Sequence, residues 1–164
     1  CVDVAALVSA TVLRKNPSAE VMPFEGRLVS VSLNPRDSVM TNAERLASVG
    51  GGSTNCSAPL VSLNARKATG DLVIYVSDNQ SWVDAGGGRG TALAREWNAF
   101  RARNPSARLV CIDLQPYGTT QAREREDILN VGGFSDNVFN VIAEFAAGRL
   151  DADHWVGRVE SVSL

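Results

Sequence analysis

The chain has 164 residues, of which 45% are hydrophobic and 21% are charged, and its formal net charge is −2. These values are typical of one globular domain, and they argue against a domain that binds nucleic acid through bulk charge. No apolar run approaches the roughly 18 residues that a membrane span needs, so we expect a cytoplasmic protein without membrane contact. Its three cysteines are far apart and show no CxxC spacing, which indicates reduced thiols rather than a disulfide framework or a zinc site.

The first part of the chain is predicted to contain a helix followed by two antiparallel strands. The helix covers residues 2 to 15 and ends at Pro17. Its predicted buried face consists of four residues: Val4, Leu7, Val8 and Thr11. Ala19–Phe24 is the first predicted strand, and Leu28–Leu33, with its alternating apolar and polar residues, is predicted as a half-exposed edge strand.

Two short helices and a buried strand are predicted next. Ser38–Ala47 is the first helix, with inward-facing Val39, Ala43, Leu46 and Ala47. A glycine triplet at residues 50–52 ends it, and a second helix carrying Leu60 and Leu63 follows Ser57, with Pro59 in its first turn. The stretch Asp71–Asp78 is apolar on both faces and is therefore predicted to lie in the middle of a parallel sheet.

The remaining elements alternate between helix and strand. A helix is predicted from about Thr91 to Arg103, with Leu93, Trp97 and Phe100 buried. Strands are predicted at residues 107–114 and 128–131. Ser135 is the predicted N-cap of a last helix, which ends at Gly148 and buries Val138, Val141, Ile142 and Phe145. This alternation predicts a three-layer α/β fold with a mostly parallel sheet and an antiparallel edge strand.

Thr54 and Asp78 form the main candidate site. Thr54 follows the glycine triplet near a helix start, and Asp78 follows a buried strand at the edge of the sheet where ligands bind in open α/β folds. A hydroxyl and a carboxylate, completed by waters, are ligands that Mg²⁺ accepts. The alternative that Asp78 merely caps a turn stays open, because Asp commonly serves turns.

Catalytic arrangements are poorly supported by the sequence, and we expect a non-enzymatic protein. The single histidine, His154, lies in a C-terminal segment without clear periodicity, and there is no G-x-S-x-G motif. Asp113 ends a strand and could pair with Asp78 in acid–base chemistry, but a solvated strand end is the favoured interpretation. A basic cluster is interpreted as a solvated helix face; it comprises Arg95, Arg101, Arg103 and Arg108.

Three motifs in order carry a resemblance to a known family. They are Gly51–Leu60 with its Thr, Cys and Pro, Val76–Gln80 with its Asp, and Ile128–Phe134 together with Val138–Phe145. The chain thereby resembles the von Willebrand factor A domain of the Ro autoantigen (TROVE) family. The resemblance implies a Rossmann-like fold over residues 1–150, with residues 151–164 as a C-terminal tail.

The family's metal-ion-dependent adhesion site (MIDAS) has three parts, and the resemblance assigns two of them. Thr54 and Asp78 match the second and third parts, so they are implied ligands of Mg²⁺ or another divalent cation. The first part, an Asp-x-Ser-x-Ser loop after the first strand, is absent from the sequence, as is that strand. We therefore expect a piece of a longer protein, and we expect residues 1–164 not to fold alone, because an unfilled slot in a sheet leaves backbone groups unpaired.

The resemblance also implies a function. Ro proteins bind small structured Y RNAs and the ends of misfolded noncoding RNAs, chiefly on a ring of helical repeats that this sequence lacks. The predicted function is a metal-dependent ligand-binding domain of a Ro-type ribonucleoprotein, which takes part in noncoding RNA binding and RNA quality control. A carboxylate-bearing protein is an expected partner at the metal. The alternative is a generic von Willebrand factor A adhesion or protein-interaction module unrelated to RNA.

Overall fold

A computed structural model describes residues 2–49, 55–77, 92–114, 125–133, 135 and 137–149. Within these ranges the chain forms five α-helices and three β-strands. In chain order they are α1 (Val2–Lys15), α2 (Val39–Ala47), α3 (Ala58–Ala65), β1 (Leu72–Ser77), α4 (Ala92–Arg103), β2 (Arg108–Asp113), β3 (Ile128–Gly132) and α5 (Val138–Ala146). The helices and the three later strands confirm the predicted order of elements, with boundaries shifted by one to three residues.

The three strands form one parallel sheet in the order β1-β2-β3. Tyr75 of β1 lies opposite Cys111 of β2, which in turn lies opposite Asn130 of β3. Parallel strands require crossover connections, and the α4 helix lies in the connection between β1 and β2. The described sheet therefore confirms the predicted parallel α/β class.

Side chains that alternate along the strands separate the core into two layers. The layer that we call the α3–α4 face contains Leu60, Tyr75, Leu93, Trp97, Phe100, Leu109 and Cys111. The opposite layer, the α1–α5 face, contains Val8, Val110, Ile112, Val138, Ile142 and Phe145. Helices thus cover both sides of the sheet, which is the three-layer arrangement that the alternating pattern predicted.

The middle position in the described sheet belongs to β2. Its residues from Leu109 to Asp113 are all buried, whereas most residues of β1 are only partly buried. The prediction that Asp71–Asp78 occupies the middle of the sheet was wrong for the described strands, because β1 has β2 as its single hydrogen-bonded neighbour among them. The segments expected on its other side do not form a ladder with it.

The predicted pair of N-terminal strands is reduced to one antiparallel bridge, between Phe24 and Leu28. The Val29 N–H donates to the Pro23 carbonyl at 2.8 Å, so the direction of the pairing is confirmed, but the flanking residues are not in strands. An extended segment becomes a strand only where a partner pairs with it, and within the described ranges none does beyond this bridge. The Phe24 ring still contacts Tyr75 of β1 edge-on at 5.8 Å.

The buried face of α1 differs from the predicted one. The helix buries Ala6, Val8, Ala10 and Leu13. Val4 and Leu7 are exposed, and Thr11 donates its hydroxyl to the Leu7 carbonyl at 2.8 Å. The reason is close packing against α2, since Ala6 and Ala10 form a cluster with Ala43 and Leu46. Small side chains permit this approach of two helices, and a nearly continuous apolar sequence does not show which face will use them.

Of the two predicted ends of the last helix, the one at Gly148 is confirmed and the N-cap at Ser135 was wrong; the cap of α2 was not predicted. Ser38 caps α2, because its hydroxyl accepts a hydrogen bond from the Thr41 N–H at 3.0 Å. At α5 the N-cap is Asn137 rather than Ser135, whose carbonyl instead accepts from the Val138 N–H at 3.0 Å. Gly148 adopts φ +72°, the left-handed conformation that commonly follows a helix C-terminus, as predicted.

Candidate functional site

The candidate site lies at the carboxyl edge of the sheet, where Ser77, Asp113 and Gly132 end neighbouring strands in register. Two inter-strand hydrogen bonds extend the pairing at these ends: Leu114 N–H donates to the Ser77 carbonyl at 2.9 Å, and Gly133 N–H donates to the Asp113 carbonyl at 2.7 Å. Gly133 has φ +79°, which suits glycine. This is the edge at which open α/β sheets bind ligands.

Asp113 is buried at this edge, with only 8% of its surface exposed. The interpretation of Asp113 as a solvated strand end was therefore wrong. The physical reason is its place on the middle strand, because Ser77 and Gly132 lie on either side of it. Ser77 is equally buried at 8% exposure, so two adjacent strand ends place protected polar groups at the edge of the sheet.

The predicted metal ligands Thr54 and Asp78 lie outside the described residues, as does His154. Their immediate neighbours in the chain, Asn55 and Ser77, are described. The structure therefore shows where the chain lies directly after Thr54 and directly before Asp78. Asp113, which was considered as a possible acid–base partner of Asp78, lies within the described residues.

The segment that directly follows Thr54, residues 55–57, is held by hydrogen bonds. The Asn55 N–H donates to the Glu25 carbonyl at 2.7 Å. The Asn55 side-chain oxygen accepts from the Ser57 N–H at 3.1 Å and is 2.8 Å from the Ser57 hydroxyl, an Asx turn that leads into α3. Pro59 lies in the first turn of α3, as predicted.

Cys56 connects this segment to the sheet. It is 5% exposed and packs in the α3–α4 face core together with Tyr75 and Cys111. Burial, and then the nearby Cys56, raise the pKa of Cys111 to about 12. Burial is also the largest cause of the raised pKa of Tyr75, followed by Cys56. Cys111 and Tyr75 are therefore neutral at physiological pH, and Cys111 is a packing group rather than a nucleophile.

Within the described part of the chain, no group of three or more His, Cys, Asp or Glu side chains could hold a metal ion. Across the same described ranges, no helix has the length and apolar character to cross a membrane.

A second polar arrangement, which the sequence did not reveal, lies beside α4. The Asp127 carboxylate is 3% exposed and accepts a hydrogen bond from the Trp97 indole N–H at 2.7 Å. Arg125 binds both carboxylate oxygens, at 2.9 and 3.0 Å, and Arg101 Nη1 lies 3.3 Å from Oδ1. Burial by itself raises the pKa of Asp127, but the hydrogen bonds from Trp97 and Arg125 and the charges of both arginines outweigh it and lower that pKa.

The sequence contained a partial signal for this arrangement. Arg101 belongs to the basic cluster that was interpreted as a solvated helix face, and its ion pair with Asp127 corrects that interpretation at this position. Arg125 and Asp127 stand immediately before β3, in a polar segment without a predicted buried face. No local pattern shows that Asp127 meets Trp97, thirty residues earlier in the chain.

The fold and the carboxyl edge together define the class: a Rossmann-like α/β domain with helices on both faces of a parallel sheet. The family model described as the Ro60 vWA domain matches residues 1–146. The chain therefore belongs to the Ro60 von Willebrand factor A domain family, and the resemblance stated from its motifs is confirmed.

Two relatives come from one organism, Deinococcus radiodurans. The chain is 26% identical over 146 residues to its RNA-binding protein RO60, with 89% of this chain and 27% of that protein covered. The crystal structure of the Deinococcus RO (RSR) protein superimposes with a TM-score of 0.72 at 26% identity, covering 90% of this chain and 29% of that chain. This sequence thus spans little more than a quarter of the length of these relatives.

Proposed function

We propose that this domain is the non-enzymatic, divalent-metal-dependent binding module of a Ro-type RNA-binding protein. Thr54 and Asp78 are the proposed metal ligands, and the proposed cation is Mg²⁺. Noncoding RNA is the proposed partner of the whole protein, since the similar Deinococcus protein carries the name RNA-binding protein RO60. The thiols of Cys56 and Cys111 are buried and not in a disulfide, which fits a reducing, cytoplasmic location.

The observation that carries the metal proposal is the contact between the flanks of the two predicted ligands. Cys56, two residues after Thr54, packs in one core cluster with Tyr75, three residues before Asp78. Phe24 packs against the same cluster and contacts the Tyr75 ring. The chain segments that carry the two oxygen ligands thus leave the same part of the core, which supports a shared site.

The chemistry of the donors fits a hard cation. A threonine hydroxyl and an aspartate carboxylate provide oxygen ligands, and Mg²⁺ usually retains several waters when the protein supplies few groups. A bound Mg²⁺ would supply an open position for the carboxylate of a protein ligand.

The absence of enzymatic activity is part of the proposal. The described thiols of Cys56 and Cys111 are buried in the core, and burial raises the pKa of Cys111 to about 12, so Cys111 is a poor nucleophile. The alternative of a generic adhesion module uses the same metal site but predicts no RNA in the complex.

Mn²⁺ binding to the intact protein, followed by electron paramagnetic resonance, tests the metal site. We expect Thr54→Ala and Asp78→Asn to abolish high-affinity Mn²⁺ binding, and excess Mg²⁺ to displace the bound ion. Thr69→Ala and Asp71→Asn are matched controls, because both residues are exposed and precede β1 at the opposite end of the strand from Asp78. Unchanged Mn²⁺ binding by the Thr54 and Asp78 variants would contradict the proposal.

RNA association is tested separately with the same intact protein. We expect noncoding RNA to co-purify with it, and we expect Asp78→Asn to leave that RNA bound, since the proposed metal site takes a protein ligand. Purification without RNA, combined with a metal-dependent protein partner, would favour the generic adhesion module.

A further inference from the structure

A shallow surface depression lies beside α4, next to the Asp127 arrangement. Its volume is about 390 Å³, and its lining residues are Asn98, Arg101, Ala102, Pro105 and Arg125. None of these five residues is acidic. The residues that line the depression are far in the chain from Thr54 and Asp78, and the proposed metal site does not use them.

The electrostatic balance of the depression is positive. Two guanidinium groups, those of Arg101 and Arg125, share one carboxylate, that of Asp127. The Asp127 side chain is only 3% exposed, while the two arginine side chains are 37% and 40% exposed. The carboxylate is therefore beneath the surface and the cations are at the surface, so an approaching anion meets the arginines first.

Hydrogen-bond capacity also remains in the depression. Arg101 has one 3.3 Å contact with Asp127, and its side chain is 37% exposed, so part of it faces solvent in the depression. Arg125 is held in place on its other side, because its Nη1 donates to the Asn98 side-chain oxygen at 2.8 Å. A pre-oriented guanidinium and a second, partly exposed one are suited to the tetrahedral oxygens of a phosphate group.

The depression continues along one stripe of α4. Arg95, Asn98 and Ala102 are spaced three and four residues apart, so they share a helix face, opposite the buried Trp97 and Phe100. Arg95 is 75% exposed and has a single 3.4 Å contact with its neighbour Glu96. A ligand with several phosphates could therefore contact Arg95 as well as the depression.

We propose that the Arg101–Arg125 depression, with Arg95, is a binding surface for the phosphate backbone of RNA. This inference rests on the proposed function, which makes RNA the partner of the whole protein. A phosphorylated peptide is less well matched, because the described lining offers only Ala102 and Pro105 as apolar contacts. The described lining residues include no aromatic ring to stack a base, so we expect these phosphate contacts to be independent of RNA sequence.

The test uses the intact protein and a fluorescent oligouridine RNA that contains 4-thiouridine, at several salt concentrations. Ala102 is exposed on the wall of the depression, and its side chain forms no part of the Asp127 arrangement. Ala102→Glu and Ala102→Lys therefore change the local charge with little effect on folding, and Ala102→Gln is the uncharged control of similar size. Arg101→Gln removes one cation, and Arg149→Gln is the matched control because Arg149 is paired with Glu144 near the end of α5.

We expect the Ala102→Glu and Arg101→Gln variants to bind the RNA roughly two- to fivefold more weakly, because each change should cost about as much as losing one exposed ion pair. For single-stranded RNA, each lost phosphate contact should reduce the slope of log K against log salt by about 0.7. Ala102→Lys should strengthen binding, and Ala102→Gln and Arg149→Gln should match the wild type. Photo-crosslinks should map to residues 92–108 in the wild type and weaken in Ala102→Glu.

Different failures are distinguishable. If the wild type binds the RNA but the Ala102 and Arg101 variants keep the wild-type affinity, salt slope and crosslinks, this inference is wrong and the proposed function stands. If the wild type binds no RNA, both are wrong. If a phosphoserine peptide binds in a manner that depends on Ala102 while RNA does not, the depression recognises protein and the inference is overturned.

Discussion

The two faces of the sheet are built differently, although the same three strands contribute to both. The α1–α5 face is mainly aliphatic, with Val110 and Ile112 of β2 packed against Ile142. The α3–α4 face instead contains aromatic rings and two thiols, with Trp97 stacked on Phe100 at 5.7 Å between ring centroids. One face thus depends on apolar burial, and the other depends in addition on satisfied polar groups.

The polar groups of the α3–α4 face connect its core to the surface. The Trp97 indole packs in the core, while its N–H binds Asp127, which in turn holds Arg125 and Arg101. The Asp127 carbonyl also accepts from the Leu109 N–H at 2.8 Å, next to the start of β3. We therefore expect this face to respond to pH and to single polar substitutions, and the α1–α5 face to respond chiefly to lost volume.

Replacing the buried ring on each face should give the largest effects. We expect Trp97→Ala and Phe145→Ala each to lower the free energy of unfolding by roughly 3–5 kcal/mol. The Trp97 change should cost about 1 kcal/mol more, because it also removes a hydrogen-bond donor from a buried carboxylate. Native-state hydrogen exchange of the β2 amides in the intact protein measures both values. A smaller cost for Trp97→Ala than for Phe145→Ala would contradict the comparison.

Asp127→Asn should remove the pH response of the α3–α4 face. The pKa of Asp127 is lower in the folded protein than its unfolded value of about 3.9, so its stabilisation is complete above that value and is lost as the pH falls through the folded pKa. We expect the substitution to cost about 1–3 kcal/mol at pH 7 and less in acid. Hydrogen exchange at neutral and acidic pH measures the difference.

Asp37→Asn is the control for this substitution, because Asp37 forms an exposed ion pair with Arg45 at 2.7 Å. It should cost less than about 1 kcal/mol. If Asp127→Asn and wild type lose stability in parallel on acidification, the buried carboxylate does not control the pH response.

Ile142→Val should have a modest effect on the α1–α5 face. Loss of one methylene from this buried side chain should lower the free energy of unfolding by about 0.5–1.5 kcal/mol. Because this core cluster contains no titratable side chain, the cost should be the same at pH 5 and pH 8. A cost that changes with pH in the same exchange experiment would show that the two faces are coupled.

The thiols of the α3–α4 face should give the smallest response. Cys111, with its pKa raised to about 12, and the buried Cys56 should resist alkylation by iodoacetamide at pH 8 in the folded protein. Peptide mass spectrometry after labelling distinguishes the two sites, with urea-unfolded protein as the labelled control. Alkylation of either thiol at the unfolded rate would mean that the core opens on this face.

The contrast between the faces also explains which sequence predictions were accurate. Leu93, Trp97 and Phe100 were predicted as the buried face of α4, and the structure confirms all three, since the helix has one apolar stripe. In α1 the apolar residues surround most of the helix, so the sequence does not show which face is buried. Leu7 was therefore wrongly predicted as buried. Periodicity identifies a buried face only where the other face is polar.

The candidate sites also differ in whether the sequence reveals them. The motifs around Thr54 and Asp78 were visible because their residues are consecutive, and the family they indicated is confirmed. The Asp127 arrangement joins residues from α4 and from the segment before β3, so no short motif contains it. The interpretation of Asp113 as solvated failed for a related reason, because its burial comes from two neighbouring strands.

The sequence by itself determined the class of fold, the order of the elements and the family. Local periodicity, turn residues and consecutive motifs are properties of short segments, and short segments are what a sequence displays. The tertiary structure alone decided that β2 is the middle strand of the described sheet, that α1 buries its alanines, and that Asp127 lies between two arginines and an indole. Each of those outcomes depends on which distant segment supplies the neighbour, because burial and hydrogen bonding belong to pairs of segments rather than to either one.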